Sequence, residues 1–390
     1  MITVAEALDR VFSLASPLGT ETVPLMRAAG RVLATDAVAC RDQPPFPSSA
    51  MDGYAVRNDE VRPGASFRVI GQSAAGHGFS GSVGAGEAVR IFTGAPVPEG
   101  ADRVVIQEDT AADGDTITLG DQLDEQLYVR PSGGDFHSGT VVSAPKLIRP
   151  QDLSLLAAMN IAEVEVSRRP VVALIATGDE LVMPGEDPGP DQIIASNTFG
   201  LKAMLEEAGA EARMLPIARD NAASLKMAFK FAEGADLIVT IGGASVGDHD
   251  LVAPVAEELG MDRAFYKIAM RPGKPLMAGK LGGAAMLGLP GNPVSSLVCG
   301  HVFLLPLVRA MLGLGPHPAQ RRTAVLASDI GPNGAREHYM RAHLTADGIA
   351  PFDRQDSSLL TVLAAADALL IRPVQDGPRK AGETVDYIPL

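Results

Sequence analysis

The sequence predicts a multidomain α/β plus β protein, in which a doubly wound, parallel-sheet ligand domain is combined with an inserted all-β domain and a C-terminal β-barrel-like domain. Three observations lead to this prediction. The 390 residues exceed what one hydrophobic core usually supports. Strand and helix patterns alternate between about 169 and 315, whereas short β-rich pieces precede and follow that stretch. The 41 glycines and 29 prolines fall between these pieces, as turn residues do.

The chain begins with an amphipathic helix. Val4, Leu8, Val11 and Phe12 share one helical face, and no basic leader precedes them. This pattern is typical of a packed helix and not of a signal peptide. A strand-like stretch follows, and a second helix is predicted over 150–160.

The middle and the end of the chain read as β, α/β and β in turn. The predicted boundaries are 1–43 with 139–168 for a discontinuous helical and linking domain, 44–138 for the inserted β domain, 169–318 for the α/β domain and 319–390 for the C-terminal β domain. The strand patterns are SFRVIG, EAVRIF, DRVVIQ and DTITLG in the inserted domain, VVALIA, DLIVTIGG and AAMLGL in the α/β domain, and RTAVLAS, ALLIRP and TVDYIPL at the end. Helices are predicted over 198–208, capped by Ser196 or Asn197, over 222–233 and from about Pro293.

Charge and cysteine content exclude several classes of protein. The net charge of −14 disfavours binding to nucleic acid or to an anionic membrane. An anionic ligand would need local cations, backbone N–H groups or a metal ion. Cys40 and Cys299 are the two cysteines, too few for a disulfide framework or a structural zinc site. The apolar run LLPLVRAMLGLG is broken by Arg309, so we expect a cytoplasmic protein.

Unusual residues follow three of the predicted parallel strands, at 177–180, 241–250 and 290–296. Ligands bind beyond the carboxyl ends of such strands. In the third segment Asn292 suits a helix cap and Pro293 a first helical position, which would expose N–H groups to an anion. A plain strand-to-helix turn explains that segment about equally well. The strand-end segment GGASVG does not match G-x-G-x-x-G, and neither a P-loop nor an HExxH motif occurs in the sequence, which disfavours dehydrogenases, P-loop NTPases and zinc proteases.

A basic cluster is predicted at YKIAMRPGKP, where prolines stiffen the backbone beside Lys267, Arg271 and Lys274. We favour an anion site there over a solvated charge run. Several acids lie in loops and could bind Mg²⁺ if they group; they are Asp52, Asp135, Glu180, Asp220 and Asp250. Two of them have simpler explanations, because Asp220 precedes a helix that it could cap and Asp52-Gly53 could form a hairpin turn.

Eight segments, taken together and in order, resemble the molybdopterin molybdenumtransferases, a family that includes the E domain of gephyrin. The segments are PPFPSSAMDGYAVR (44–57), IFTGAPVPEGAD (91–102), VRPSGGDFHSGTVV (129–142), VVALIATGDEL (171–181), SNTFGL (196–201), IVTIGGASVGDHD (238–250), YKIAMRPGKPL (266–276) and GLPGNPVSS (288–296). The resemblance implies a Mg²⁺-dependent, homodimeric enzyme that takes adenylylated molybdopterin and molybdate, releases AMP and inserts molybdenum into the pterin. It also implies transient contact with the molybdopterin adenylyltransferase and with molybdoenzymes.

The resemblance assigns roles to matching positions of this chain. Asp220 and Asp250 would hold Mg²⁺, and Lys267 would be catalytic. Facing walls of the cleft would supply Asp52, Thr93, Arg130, Asp135 and Glu180, some of them from the second subunit of a dimer. The pterin phosphate pocket would be lined by Gly242, Gly243, Ser245, Pro290 and Pro293, and molybdate would be bound by Arg271, Lys274, Arg341 and Ser357.

Three positions depart from the family's pattern. Gly134 replaces a common Glu, Arg271 stands where some relatives have Lys, and Asp356 brings an acid beside Ser357. Two alternatives remain at this point: an enzyme that hydrolyses another pyrophosphate compound on a related domain, and a non-catalytic scaffold.

Overall fold

The computed structural model describes residues 1–243 and 251–390. Its largest core surrounds a six-stranded sheet. In spatial order the strands are Glu211–Met214, Val171–Ala176, Leu237–Ile241, Ala284–Leu289, Met277–Leu281 and Asp262–Tyr266. The first four are parallel, as predicted, and Met277–Leu281 runs antiparallel to both of its neighbours. A two-residue loop, Gly282-Gly283, joins two of these antiparallel neighbours, so this part of the sheet is a hairpin that the strand–helix alternation did not predict.

The sheet is doubly wound. From Val171–Ala176 the chain passes through helix Asn197–Glu207 to the outer strand Glu211–Met214, and then returns through helix Ala222–Phe231 to Leu237–Ile241 on the other side. The winding direction therefore changes between Val171–Ala176 and Leu237–Ile241. Ligands bind at such switch points, beyond the carboxyl ends of the strands.

Helices pack against this sheet and the regions around it. The α-helices are Val4–Phe12, Pro150–Ala158, Asn197–Glu207, Ala222–Phe231, Val252–Glu258, Pro293–Cys299, Leu305–Met311 and Leu360–Ala364, with a π-helical turn at Gly300–Leu304 and short 3-10 turns at Leu25–Arg27, Asn58–Glu60 and Gln107–Asp109. The first helix is closed by a capping box between Thr3 and Glu6. The continuous helical stretch Pro293–Met311 is long and apolar enough to cross a membrane, but 78% of its most apolar window is buried inside the molecule, as in a core helix.

The two segments 1–43 and 139–168 form a sheet as well as helices. Strands Thr20–Pro24 and Val32–Leu33 join Lys146–Leu147 and Glu163–Ser167 in a four-stranded sheet, and Val32–Leu33 lies in the strand-like stretch that follows the first helix. This pairing joins segments more than a hundred residues apart, which a local pattern does not show. Ala37–Val38 also pairs with Val141–Val142.

The stretch between these two segments, residues 44–138, consists mainly of β-strands. Its six-stranded sheet has the order Arg103–Ile106, Gly53–Val56, Glu87–Ile91, Ser66–Ser73, Thr116–Leu119 and Thr110–Asp113. Apolar clusters cover both faces of this sheet, one around Val89 and Val104 and another around Phe67 and Ile117. A separate ribbon pairs Ser48–Ser49 with Val129–Arg130.

The C-terminal sheet recruits a strand from the α/β region. Its order is Met270–Arg271, Glu337–Thr345, Ala368–Arg372, Thr384–Pro389 and Arg322–Val325, with Gly348–Pro351 paired to Glu337–Thr345. A bridge between Leu326 and Ile349 brings the two ends of this sheet together, which makes it barrel-like as predicted. Tyr339 and Leu369 lie in the same core as Leu287, so the C-terminal sheet is packed onto the α/β region. A small ribbon, Leu181–Val182 with Ile193–Ile194, completes the fold.

Candidate active site

A cleft of about 510 Å³ lies at the switch point of the α/β sheet. Three strands end at it: Val171–Ala176, Leu237–Ile241 and Ala284–Leu289. Its walls contain six residues predicted from the sequence, which are Glu180, Asp220, Gly242, Gly243, Pro290 and Pro293. The parallel strands therefore bring together residues that are more than a hundred positions apart in the chain.

The floor of the cleft has a backbone shape that only glycine fits. Gly242 and Gly243 have φ values of 96° and 60°. A Cβ on Gly242 would lie 2.7 Å from the carbonyl oxygen of Thr177, and one on Gly243 would lie 2.3 Å from Cγ2 of Val252. The two glycines thus allow adjacent strand ends to approach each other, and they leave the backbone open to a ligand.

The Pro290–Pro293 loop is held from both sides. Asn197 Nδ2 donates to the carbonyl oxygen of Gly291 at 2.7 Å, and Asn292 Nδ2 donates to Ser357 Oγ at 3.1 Å. Asn292 occupies the N-cap position of the next helix, as predicted, but its side chain makes no capping hydrogen bond because the amide reaches the C-terminal region instead. The backbone N–H of Val294 donates to the Ser357 carbonyl at 3.1 Å, so one of the helix-start donors is already occupied.

Glu180 and Asp220 place two carboxylates on the cleft wall. Asp220 does not cap the following helix, as one interpretation of the sequence had it. Asn221 does so, by accepting the N–H of Ser224 at 2.9 Å, while the N–H of Asp220 donates to Asp179 Oδ1 at 3.1 Å. The side chain of Asp220 is therefore not committed to the helix start.

These two carboxylates fit a magnesium ion. Mg²⁺ is usually bound through one or two carboxylates and keeps several water ligands. Within residues 1–243 and 251–390 no cluster of three or more His, Cys, Asp or Glu side chains suited to a metal is found. The predicted partner Asp250, like the predicted phosphate contact Ser245, lies outside the described residues.

Arg341 forms a buried cationic site beside this cleft. Its side chain is 0% exposed, and its Nη2 donates to the Asp356 carbonyl at 3.0 Å. Its Nε and Nη1 are buried without a hydrogen-bond partner among the described residues. Burial lowers the pKa of this guanidinium from its ordinary value, and the nearby Arg271 cation lowers it further. A buried cation with two unused donors is costly unless an anion binds to it.

Ser357 connects Arg341 to the cleft, since it follows Asp356 and contacts both Asn292 and Val294. The carboxylate of Asp356 makes no hydrogen bond to this guanidinium among the described residues. That carboxylate accepts the N–H and the hydroxyl of Ser358 at 2.8 and 2.6 Å. These hydrogen bonds lower the pKa of Asp356.

The predicted basic segment lies at the same junction. Arg271 is exposed and stands in register with His338 on the neighbouring strand, while Lys274 is exposed one residue before Pro275 of the cleft wall. Lys267 has a φ of 68°, and its ammonium group lies 5.2 Å from the ring centre of Tyr266. A bulky residue with positive φ is held there by its surroundings.

Four predicted residues form a separate group in the inserted β region. Asp52, Thr93, Arg130 and Asp135 do not line the cleft. Asp52 Oδ1 accepts the N–H and the hydroxyl of Thr93, each at 2.7 Å, and these hydrogen bonds lower the pKa of Asp52. The alternative interpretation of Asp52-Gly53 as a hairpin turn was wrong, since Gly53 starts a strand that pairs on both sides.

Backbone hydrogen bonds hold this group together. Ser49 donates to Ala95 at 2.9 Å, Ala50 donates to Tyr128 at 2.8 Å, and Asp135 donates to Gln43 at 2.9 Å. Arg130 pairs with Ser48 in the adjacent ribbon. The four side chains therefore lie on connected loops at the surface of one region, away from the cleft of the same chain.

Comparison with known proteins identifies the family. Three family models match in order: the MoeA N-terminal region (domain I and II) over 2–160, the probable molybdopterin binding domain over 173–310 and the MoeA C-terminal region (domain IV) over 323–390. A molybdopterin molybdenumtransferase of Haemophilus influenzae is 36% identical, over 100% of this chain and 98% of its own. One from Nostoc is 33% identical, over 99% and 93%.

The chain belongs to the MoeA family of molybdopterin molybdenumtransferases. A molybdopterin biosynthesis MoeA protein of Pyrococcus horikoshii has a similar structure, with 32% identity and a TM-score of 0.83 over 100% of this chain and 99% of that one. The family resemblance and the fold class predicted from the sequence are thereby confirmed. This MoeA chain is an enzyme that acts in molybdenum cofactor biosynthesis.

Sequence reasoning assigned no ligand-binding role to three residues in or near the MoeA cleft. Thr177 and Asn197 line it, and His338 lies buried beside Arg271 with its Nε2 unpartnered among the described residues. Burial lowers the pKa of His338 to about 4, with Arg271 and Arg341 adding to the effect, so the imidazole is neutral at pH 7. Asn197 stood in a matched segment, which was a usable signal. The position of His338 depends on strand pairing between distant segments, which no local pattern shows.

Proposed function

We propose that this enzyme inserts molybdenum from molybdate into adenylylated molybdopterin and releases AMP in a Mg²⁺-dependent reaction. One observation carries the proposal: Arg341 is fully buried beside the cleft with two unpartnered guanidinium nitrogens. A tetrahedral dianion suits a guanidinium because the planar fork offers several donors at once. Arg271, Lys274 and Ser357 surround the same junction and would complete the molybdate site.

The cleft next to it suits the phosphate-bearing substrate. Gly242 and Gly243 let a ligand approach the backbone, and Pro290 and Pro293 shape the opposite wall. The short connection through Asn292 and Ser357 joins the two sites. A pterin bound in the cleft would therefore present its sulfur atoms toward an oxyanion at Arg341.

Glu180 and Asp220 would hold Mg²⁺, with Asp250 as a further ligand. The ion would neutralise charge on the pyrophosphate as AMP leaves. Lys267, which follows strand Asp262–Tyr266 and has a positive φ, would stabilise the anionic substrate. We assign the pterin phosphate contacts to the glycine-rich loop, which includes Ser245.

The group of Asp52, Thr93, Arg130 and Asp135 would act across a homodimer. These side chains are held in an ordered arrangement but lie outside the cleft of their own chain. Ile193, which is 58% exposed at the cleft rim, and exposed Phe199 nearby offer an apolar surface for a second subunit. In this arrangement each cleft would receive its second wall from the partner copy.

We further propose a cytoplasmic protein that exchanges its substrate and product by transient contact with the molybdopterin adenylyltransferase and with molybdoenzymes. The net charge of −14 supports small-molecule substrates and not nucleic acid or anionic membranes.

The test measures AMP release from adenylylated molybdopterin with Mg²⁺, in the presence and absence of molybdate. We expect molybdate to stimulate release by the wild type and Arg341→Gln to lower the stimulated rate by roughly 10²–10³-fold, as removal of a preorganised donor does. Arg27→Gln, which changes an exposed arginine outside the cleft, is the matched control and should behave as the wild type.

Two results would contradict the proposal. AMP release that is fast but independent of molybdate would indicate a pyrophosphate hydrolase. Tight substrate binding without any AMP release would indicate a non-catalytic scaffold.

A further inference from the structure

A second cavity, of about 580 Å³, lies beside the C-terminal half of the helical stretch Pro293–Met311. One side is formed by His301, Leu305 and Arg309, which recur at every fourth position and so share one helical face. The opposite side is formed by the segment 317–320 and by Ile388 and Pro389 of the C-terminal strand. None of these residues lines the cleft described above.

The helix is distorted where it meets this cavity. Residues Gly300–Leu304 form a π-helical turn between two α-helical stretches. Such turns are rare, and those that do occur are often found at functional sites. Here the turn contains His301, which lines the cavity. Burial lowers the pKa of His301 to about 4, so its imidazole is neutral at pH 7 and offers one donor and one acceptor.

The polar groups of the cavity favour an anion. Arg309 and His317 stand at its rim and are exposed, and Gln320 adds an amide. None of the described residues that line this cavity has a carboxylate side chain. Among residues 1–243 and 251–390, the side chain of Arg309 makes no ion pair or hydrogen bond. An arginine without a carboxylate partner, in a chain of net charge −14, is available for a ligand.

The remaining walls are apolar. Leu305, Pro306, Pro318 and Ile388 enclose the volume between His301 and the rim. Ligand sites commonly combine such apolar walls with a few convergent polar groups, in volumes of about 300–1,000 Å³. The geometry thus suits a molecule with an uncharged ring and one anionic group.

We propose that this cavity binds a small phosphate monoester of about the size of a mononucleotide, with the phosphate at Arg309 and His317 and the uncharged body against Leu305 and Ile388. The choice of AMP as probe rests on the proposed function, in which AMP is the released product. Because the two cavities share no lining residue, binding here would let the product regulate the enzyme without occupying the cleft.

The experiment is an equilibrium titration of the full-length protein with AMP by calorimetry, without the pterin substrate. We expect a binding event in wild type and in the Asp220→Asn variant of the cleft. Arg309→Gln should weaken that event by at least about tenfold, which is the loss expected for one charge-assisted hydrogen bond. Arg27→Gln serves as the matched control and should leave it unchanged.

Further probes and outcomes decide the ligand class. Inorganic phosphate should bind more weakly than AMP in an Arg309-dependent manner, and adenosine should not bind. Identical AMP isotherms for wild type and Arg309→Gln would overturn the proposal, as would binding of adenosine equal to that of AMP. Since this titration requires no turnover, loss of the proposed reaction would leave its result intact, and the two failures are distinguishable. His317→Ala, at an exposed position, gives a second variant if Arg309→Gln fails to fold.

Discussion

The two groups of predicted site residues are built by different physical means. The cleft of the α/β region is shaped by backbone, through glycines with positive φ and strand ends packed against one another. In the inserted β region, the position of Asp52 instead depends on two hydrogen bonds that its carboxylate accepts from Thr93. The first should therefore be sensitive to any added atom, whereas the second should be sensitive to the loss of a single polar group.

The largest effect is expected from an added methyl group in the cleft. Gly243→Ala would place a Cβ 2.3 Å from Val252 Cγ2 at a φ of 60°, so Val252 or the loop must move. We expect a loss of about 1–3 kcal/mol in the free energy of unfolding, as overpacking produces, together with at least about a 100-fold loss of AMP release. Urea denaturation and the release assay measure both.

Gly331→Ala is the control for this substitution. Gly331 has no atom within 4 Å of its added Cβ and no positive φ. If Gly243→Ala leaves both stability and activity unchanged, the floor of the cleft is not defined by close packing, and the contrast between the two regions is lost.

A mixing experiment tests whether the two groups meet across a dimer. Asp52→Ala and Asp220→Ala should each abolish activity as pure proteins. After subunit exchange, an equal mixture should recover about a quarter of the wild-type rate, because half of the dimers would be mixed and each would contain one intact site. If each variant is crosslinked as a homodimer before mixing, the subunits cannot exchange and the rate should not recover. No recovery after verified exchange would mean that both groups act within one chain.

The fold class was predictable from the sequence because strand and helix periods are local properties. The strands Val171–Ala176 and Leu237–Ile241 were recognisable as buried apolar runs bounded by turn residues. The hairpin Met277–Leu281 with Ala284–Leu289 was overlooked, although a Gly-Gly pair separates its strands. The sheet of Thr20–Pro24 was unpredictable in practice, since its partner lies more than a hundred residues away.

The candidate site shows the same division. Glycines and carboxylates at strand ends were found from position alone. The sequence offered Asp220 as a possible helix cap, whereas the geometry of the turn selects Asn221. The burial of Arg341 could not be predicted, because it depends on how strand Glu337–Thr345 pairs with Met270–Arg271 and on the loop that carries Asp356. The local sequence pattern thus predicts which residues lie at a strand end, and the tertiary pairing of strands determines which of them are buried.

A smaller effect is expected from the hydrogen bonds of Asp52. Two bonds from Thr93 lower the pKa of this carboxyl, so it stays ionised to lower pH than an ordinary Asp. Thr93→Val removes the hydroxyl bond and keeps the backbone one. We expect the pKa of Asp52 to rise toward its ordinary value and the acid limb of the pH–rate profile to move to higher pH.

The sign follows from the lowered pKa. The hydrogen-bonded carboxylate is present above the ordinary Asp pKa, and its contribution is lost as the pH falls through the lowered folded value. Thermal stability at pH 7 should change little, because Thr93 is exposed. Thr93→Ser, which retains the hydroxyl, is the matched control and should leave the profile in place. An unmoved acid limb in Thr93→Val would show that Asp52 does not limit the reaction.

The smallest effect concerns the turn that carries Lys274. A Cβ on Gly273 would lie 2.5 Å from Cys299 Sγ, at a φ of 110°. Gly273→Ala should therefore destabilise the protein by two separable causes, the contact with sulfur and the backbone conformation. Cys299→Ala removes the contact and leaves the conformation, so the double variant should regain part of the lost stability. A double-mutant cycle by urea denaturation should give a favourable coupling of about 0.5–1 kcal/mol. Zero coupling would mean that the turn relaxes away from Cys299, and that the basic segment beside the cleft is less rigidly fixed than the glycine floor.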